Sequence, residues 1–282
     1  MKKFLLIGFV GSLAVMANAQ AYRVDGFKSS GVQNGDRQFL STGFTGSSVK
    51  FDQTNIGFFG DGTLRTGGKS YGWNDNVPRD VDGSNKHLLN PDRGDKATAF
   101  SGEANGTAKL SEVFGQNNLG YLMDSEDSAV WTLDLKYRNG GFITANGGVD
   151  PELLLMERGA NSKLGVRAIL DNGQYSNSFI LDFRTDKNGM AGKTDYSIDT
   201  LEISGAQPVS AIGLGLTAFN LAAGTKVYGY QFFVNQNSGA NFNGPDFIGF
   251  VAARTAPTPV PEPTSMAMFG LSALAFFRRK RK

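Results

Sequence analysis

The residues of this chain that could carry chemistry are few. It has one histidine, His87, and no cysteine. Disulfides, thiolate metal sites, a cysteine nucleophile and multi-histidine metal centres are therefore excluded. A serine–histidine–aspartate arrangement would have to use His87, within Lys86-His87-Leu88, and no Gly-x-Ser-x-Gly turn exists to present a nucleophile. His87 reads as a surface loop residue. Gly67-Gly68-Lys69-Ser70 and Gly192-Lys193-Thr194 look like the end of a phosphate-binding loop, but the first glycine such a loop needs is Thr63 in one case and Lys187 in the other. Neither stretch follows a strand and opens a helix, the geometry that aims backbone N–H groups at phosphate. Both read as turns, and no nucleotide partner is expected.

Carboxylates are more plentiful. Glycoside hydrolysis needs two acids set by their separation in space, and Asp124, Glu126, Asp127, Glu152, Glu157, Asp182, Asp199 and Glu202 are all available. No local signature joins any two of them, so the chain is expected to be non-catalytic, with a polysaccharide hydrolase as the alternative. Asp80 and Asp82, in Asp80-Val81-Asp82-Gly83, and Asp124 and Asp127, in Asp124-Ser125-Glu126-Asp127, offer the hard oxygens that Ca²⁺ takes, though neither cluster has EF-hand spacing. Solvated turn acids are the plainer reading, and one structural Ca²⁺ bracing a long loop is the sharper one; no other cofactor is expected. The aromatic pair Tyr71 and Trp73 sits in a Gly- and Asn-rich stretch, where an indole needs a reason to face water. Sugar rings stack their C–H faces on such side chains, so Tyr71 and Trp73 are the candidate ligand-binding residues; folding back of Trp73 over the core edge is the alternative. Tyr228, Tyr230 and Phe232, at alternate positions, read as core.

The elements that must position these residues are strands. Trp131, Leu133, Leu135 and Tyr137 alternate with Thr132, Asp134, Lys136 and Arg138, and Ile212, Leu214 and Leu216 alternate with small residues. Glu152–Arg158 is apolar through its centre, as expected of a strand covered on both faces. Gly makes up about 13% of the 282 residues, well above the usual ~7%, and Asn-Gly and Asp-Asn-Gly turns punctuate the runs. Strands recur every 10–15 residues without helices between them, which predicts an all-β antiparallel sandwich of jelly-roll kind over 22–255. Shorter strands are expected at Tyr22–Lys28, Val49–Gly60, Lys96–Glu103, Leu119–Met123, Tyr196–Ile203 and Phe247–Ala252, with one helical turn near Lys109–Phe114. A long loop spans 61–95. Across the turn Gly159–Ser162 a hairpin would set Arg167 diagonal to Glu152 as an ion pair.

Both ends fall outside this body. Lys2 and Lys3, the apolar run Phe4–Val15 and small residues at Ala17, Ala19 and Ala21 have the layout of a secretory signal over 1–21, cut after Ala19 or, second, after Ala21. General secretion machinery and signal peptidase are the implied partners. At the other end a Pro-rich linker, 256–263, leads into 264–282, an apolar run Met266–Phe277 that stops on Arg278, Arg279, Lys280, Arg281 and Lys282. Twelve residues of helix span about 18 Å, short for a bilayer unless it thins locally, and the five cations hold that end in the cytoplasm. An N-terminal signal helix and a short C-terminal transmembrane helix are thus expected to flank the sandwich. Without the ends, 21 basic and 25 acidic residues leave the body at −4, with no basic stripe for nucleic acid.

Val260-Pro261-Glu262-Pro263, the short apolar segment and the basic terminus together resemble the PEP-CTERM sorting signal, carried by exported proteins of Gram-negative bacteria that make exopolysaccharide. The resemblance covers about the last 25 residues. It implies processing near Pro261-Glu262-Pro263 by an exosortase, a membrane protease, and delivery to the outer envelope surface or outside. It implies nothing about the activity of the body. The expectation is an exported surface or matrix protein associating with exopolysaccharide; a purely structural envelope protein is a further alternative.

Overall fold

The computed structural model describes residues 21–31, 37–66, 113–120, 122–123, 125, 130–145, 150–198, 206–235 and 242–252. These form two antiparallel sheets. The larger runs β3 (Lys50–Asp52), β2 (Gln38–Phe44), β1 (Ala21–Ser30), β12 (Gln207–Gly215), β8 (Pro151–Arg158), β14 (Asp246–Ala252) and β4 (Ile56–Gly57), with β11 (Gly192–Ile198) also paired to β12. The smaller runs β10 (Tyr175–Asp182), β9 (Lys163–Leu170), β13 (Lys226–Val234), β6 (Trp131–Tyr137) and β5 (Phe59–Thr66), with β7 (Ile143–Thr144) on β13. The all-β antiparallel architecture expected from the alternation is the observed one. The two flanking helices expected at the chain ends lie outside the described residues, and among the described residues no helix is long and apolar enough to cross a membrane.

All eight residues of β8 are buried, because the strand is a wall between two cores. Leu153 and Leu155 share a face with Ile212, Leu214 and Phe247, and Phe247 packs on Trp131 and Phe232 of the smaller sheet, with ring centroids 6.1 and 5.1 Å away. Leu154 and Met156 face the other way with Ile248 and Phe250. On that side the large sheet curls back on itself. Phe250 of β14 meets Phe39 of β2 at 5.6 Å, although three strands lie between the two in sheet order. Phe27, Phe44, Phe51 and Tyr196 fill the rest of this second interior. Gly213 makes the curl possible: a Cβ there would lie 2.4 Å from the ring of Phe44.

Several local expectations are corrected. Gly192-Lys193-Thr194 is not a turn but the start of β11, and Gly192 lies where β1 and β11 part along β12, against the backbone of Val24. β11 therefore begins four residues before the expected Tyr196. Among the described residues of Leu119–Met123 there is no strand, only an isolated bridge from Met123 to Phe247, with another from Asn118 to Gln38 just before it. The strand β2 was not anticipated because register shifts against β1 break its two-residue period. Val113 and Phe114 do have helical backbone, while Lys96–Glu103 and 109–112 lie outside the described residues.

Two corrections reach further. The turn Gly159–Ser162 joins β8 to a strand of the other sheet, so β8 and β9 form no hairpin, and Arg167 does not pair with Glu152. Tyr230 and Phe232 are fully buried as expected, but Tyr228 is only partly buried. A bulge between Val227 and Gly229 inserts one residue into β13, which puts Val227 in the core and turns Tyr228 out against Phe142, 5.4 Å between ring centroids.

Gly213→Val should cost roughly 1–3 kcal/mol, the usual range for overpacking a core. A urea denaturation midpoint lowered at unchanged slope checks this, and a second change, Phe44→Leu, should recover part of the loss.

Candidate functional site

Tyr71, Trp73, Asp80, Asp82, Asp124 and Asp127 lie outside the described residues, as do Ala17, Ala19, the Pro-Glu-Pro motif and the basic terminus. Ala21 is the first residue of β1 and pairs with Leu214. Of the other acids considered for catalysis, Glu126, Asp199 and Glu202 also lie outside. Asp182 is engaged by Arg184 at 2.6 and 2.9 Å. Glu152 and Glu157 are interior groups on β8.

Glu157 is wholly buried beneath the turn Gly159–Ser162. Burial pushes its carboxyl up to about 8, against the nearby Ser162 hydroxyl, the N–H groups of Ala160 and Asn161 and the charge of Arg158. Neither oxygen attains hydrogen-bond geometry with these neighbours. Next to it, Arg158 donates from Nε and Nη2 to one Asp246 oxygen at 3.0 and 2.7 Å, and the Ser125 N–H holds the other at 2.8 Å. Such a buried pair specifies the register of β8 against β14, since removing one partner leaves an uncompensated charge. At the opposite end of β8, the hydroxyls of Tyr137 and Tyr230 meet at 3.2 Å. Burial raises both phenols, and Glu152 adds to the rise.

The polar groups that reach the surface together are on the outer face of the smaller sheet. Asp134, Gln231, Arg167 and Ser178 occupy one register row across β6, β13, β9 and β10. The Gln231 amide donates to Asp134 Oδ1 at 2.6 Å. Arg65, from β5, and the Tyr175 hydroxyl donate to Oδ2 at 2.7 and 3.0 Å. Arg167 donates from Nε to Gln231 Oε1 at 2.7 Å, and its guanidinium lies 4.0 Å over the ring of Tyr175. Two residues along the same strands, Phe233 packs against Gly165, where a Cβ would collide with the ring at 2.3 Å. The face thus offers two guanidinium groups around one carboxylate, flanked by the partly buried rings of Tyr175 and Phe233. A planar, amphipathic ligand could lie across it, with ring faces on the aromatics and hydroxyls or acids on the guanidinium edges.

A cleft of about 550 Å³ opens elsewhere, along β11. Arg37, Lys193, Thr194, Asp195 and Ser197 line it, with Thr185 and Pro208. Its carboxylate is already engaged: Asp195 accepts from the backbone and hydroxyl of Ser29 at 2.8 and 2.6 Å, and Arg37 donates to the same hydroxyl at 2.8 Å.

The outer-face network was missed in the sequence, although each strand's outward residues were legible. Asp134, Gln231 and Arg167 are separated by tens of residues, and only strand order makes them neighbours.

Beyond the described body, residues 259–282 match the family model of the PEP-CTERM protein-sorting motif. The chain carries this sorting signal. The match is confined to the C-terminal segment, and no curated protein and no solved structure matches the chain. A PEP-CTERM signal marks an exported protein that is sorted at the membrane and processed by exosortase-type machinery.

Because the Glu157 carboxyl is raised from 4.5 to about 8 on folding, the folded protein holds the proton more tightly. This contribution is complete below about pH 4.5 and is lost as pH rises through 8. Glu157→Gln should therefore flatten the fall of melting temperature between pH 5 and pH 8 that thermal denaturation of the unaltered protein shows.

Proposed function

We propose that the exported body is a non-catalytic surface or matrix protein that associates with exopolysaccharide. The observation that carries this reading is the outer face of the smaller sheet, where Arg65, Arg167, Tyr175 and Phe233 surround the Asp134–Gln231 pair. An open platform of this kind suits a polymer, which must pass through a site rather than end in it. Among the described residues the platform and the β11 cleft each hold one carboxylate, whereas the hydrolase alternative needs two acids about 5–10 Å apart. β5 ends at Thr66, next to Arg65, and Tyr71 follows five peptide steps later, a reach of no more than about 18 Å. These two aromatics would then extend the platform. One structural Ca²⁺ at Asp80/Asp82 or Asp124/Asp127 would brace the loop region.

The ends fit this role. Removal of the signal after Ala19 leaves β1 whole, whereas cutting after Ala21 takes the residue paired with Leu214. Processing near Pro261-Glu262-Pro263 then frees the body for the outer surface or the matrix.

Calorimetric titration of the processed protein with exopolysaccharide purified from the producing cells should give saturable heat. Arg167→Ala and Tyr175→Ala should each weaken binding by about tenfold or more, a change of ~1.4 kcal/mol, and Trp73→Ala should weaken it as well. Heat that survives all three changes would overturn the platform; release of reducing sugar ends during the titration would favour the hydrolase. Truncation from Pro261 onward should abolish sorting, seen as loss of surface labelling in intact cells.

A further inference from the structure

The chain enters and leaves the body at the same end. Ala21 pairs with Leu214, Leu214 with Leu153, and Leu153 with Val251, so the first residue of β1 and the penultimate residue of β14 lie in one row. They are three strand spacings apart, about 14 Å. β1 runs away from this end and β14 runs toward it, so signal and sorting segment both emerge here. Six peptide steps, about 20 Å fully extended, join Val15 of the apolar signal run to Ala21, and the thirteen residues 253–265 reach at most about 45 Å toward Met266. While either segment is in the membrane, this end is held near the lipid at high effective concentration, where weak contacts suffice.

The loop after β12 exposes Ala222, Ala223 and Gly224 beside partly exposed Leu221. It leads into β13, whose first residues carry Lys226, with Nζ 4.5 Å from the ring centroid of Phe142, and Tyr228 against the same ring. The bulge before Gly229 gives the core position to Val227 and puts Tyr228 outside. A tyrosine, apolar in body and polar at its tip, packed on a phenylalanine with a lysine beside it suits the headgroup layer of a bilayer.

Taken with the convergent termini, the geometry points to this end, formed by 221–228 and Phe142, as a lipid-contacting surface that seats the tethered body on the membrane before release. The inference rests on the sorting reading, since it needs the tether. It also sets the platform of the smaller sheet roughly perpendicular to the membrane, open to polymer while the protein is still attached.

The absence of cysteine permits a clean test. Full-length Ala223→Cys and, at the other end of β12, Ala206→Cys are labelled with an environment-sensitive fluorophore and reconstituted in vesicles of phosphatidylethanolamine and phosphatidylglycerol. The two positions are roughly 25–30 Å apart along the strand direction. Brominated lipid should quench the label at 223 severalfold more than at 206, and Phe142→Ser with Tyr228→Ser should remove that difference while vesicle flotation persists. Equal quenching at both sites in floating protein would overturn the lipid-contacting end alone. Loss of flotation in the unaltered full chain would overturn the membrane tether and this inference together.

Discussion

The double burial of β8 is the constraint on which the rest depends. A strand that is apolar on both faces cannot lie at the surface of a simple two-layer sandwich. The large sheet therefore packs one face of β8 against the smaller sheet and curls to cover the other with its own β2 and β14. Three close approaches serve this arrangement: Gly213 under Phe44, Gly192 at the parting of β1 and β11, and Phe39 against Phe250. The hydrophobic gain from enclosing so many phenylalanines is spread over two contiguous interiors. The polar groups that β8 carries inward are tolerated because Arg158 is bonded to Asp246 and Glu157 is held neutral by its surroundings.

With both interiors centred on β8, the smaller sheet is free to keep an outer face of mixed character. Its inward residues close the core through Trp131, Leu133, Tyr230 and Phe232. Its outward residues form one connected network instead of scattered surface charges. Asp134 is nearly buried by its own partners, so the guanidinium groups and rings above it are pre-positioned, and ordering them on binding costs little. The β11 cleft is different in kind. Its one acid is tied to β1 by Ser29, and it reads as part of the seam between strands.

The same strand order brings the two chain ends together. A body whose termini were distant would have to lie along the membrane if both ends were held there. Here β1 and β14 deliver both ends to one side of the body, so a cut in the sorting segment leaves the folded strands undisturbed.

The sequence by itself determined the C-terminal sorting signal and the class of fold. A sorting segment is read by machinery that recognises a short stretch of peptide, so its information is local: Pro-Glu-Pro, apolar length and terminal charge. Strand class is local too, since side-chain direction alternates along any strand, and the inward set of β6 and the double burial of β8 could be read from residue order. Which strands are neighbours was decided by tertiary structure alone. The pairing of β8 with β12 and β14 rather than β9, and the gathering of Asp134, Gln231 and Arg167 into one row, depend on which apolar faces cover each other best over the whole chain. The outward turn of Tyr228 depends on a one-residue bulge. A single inserted residue inverts the facing of its neighbours, and no local pattern records where the partner strands absorb it.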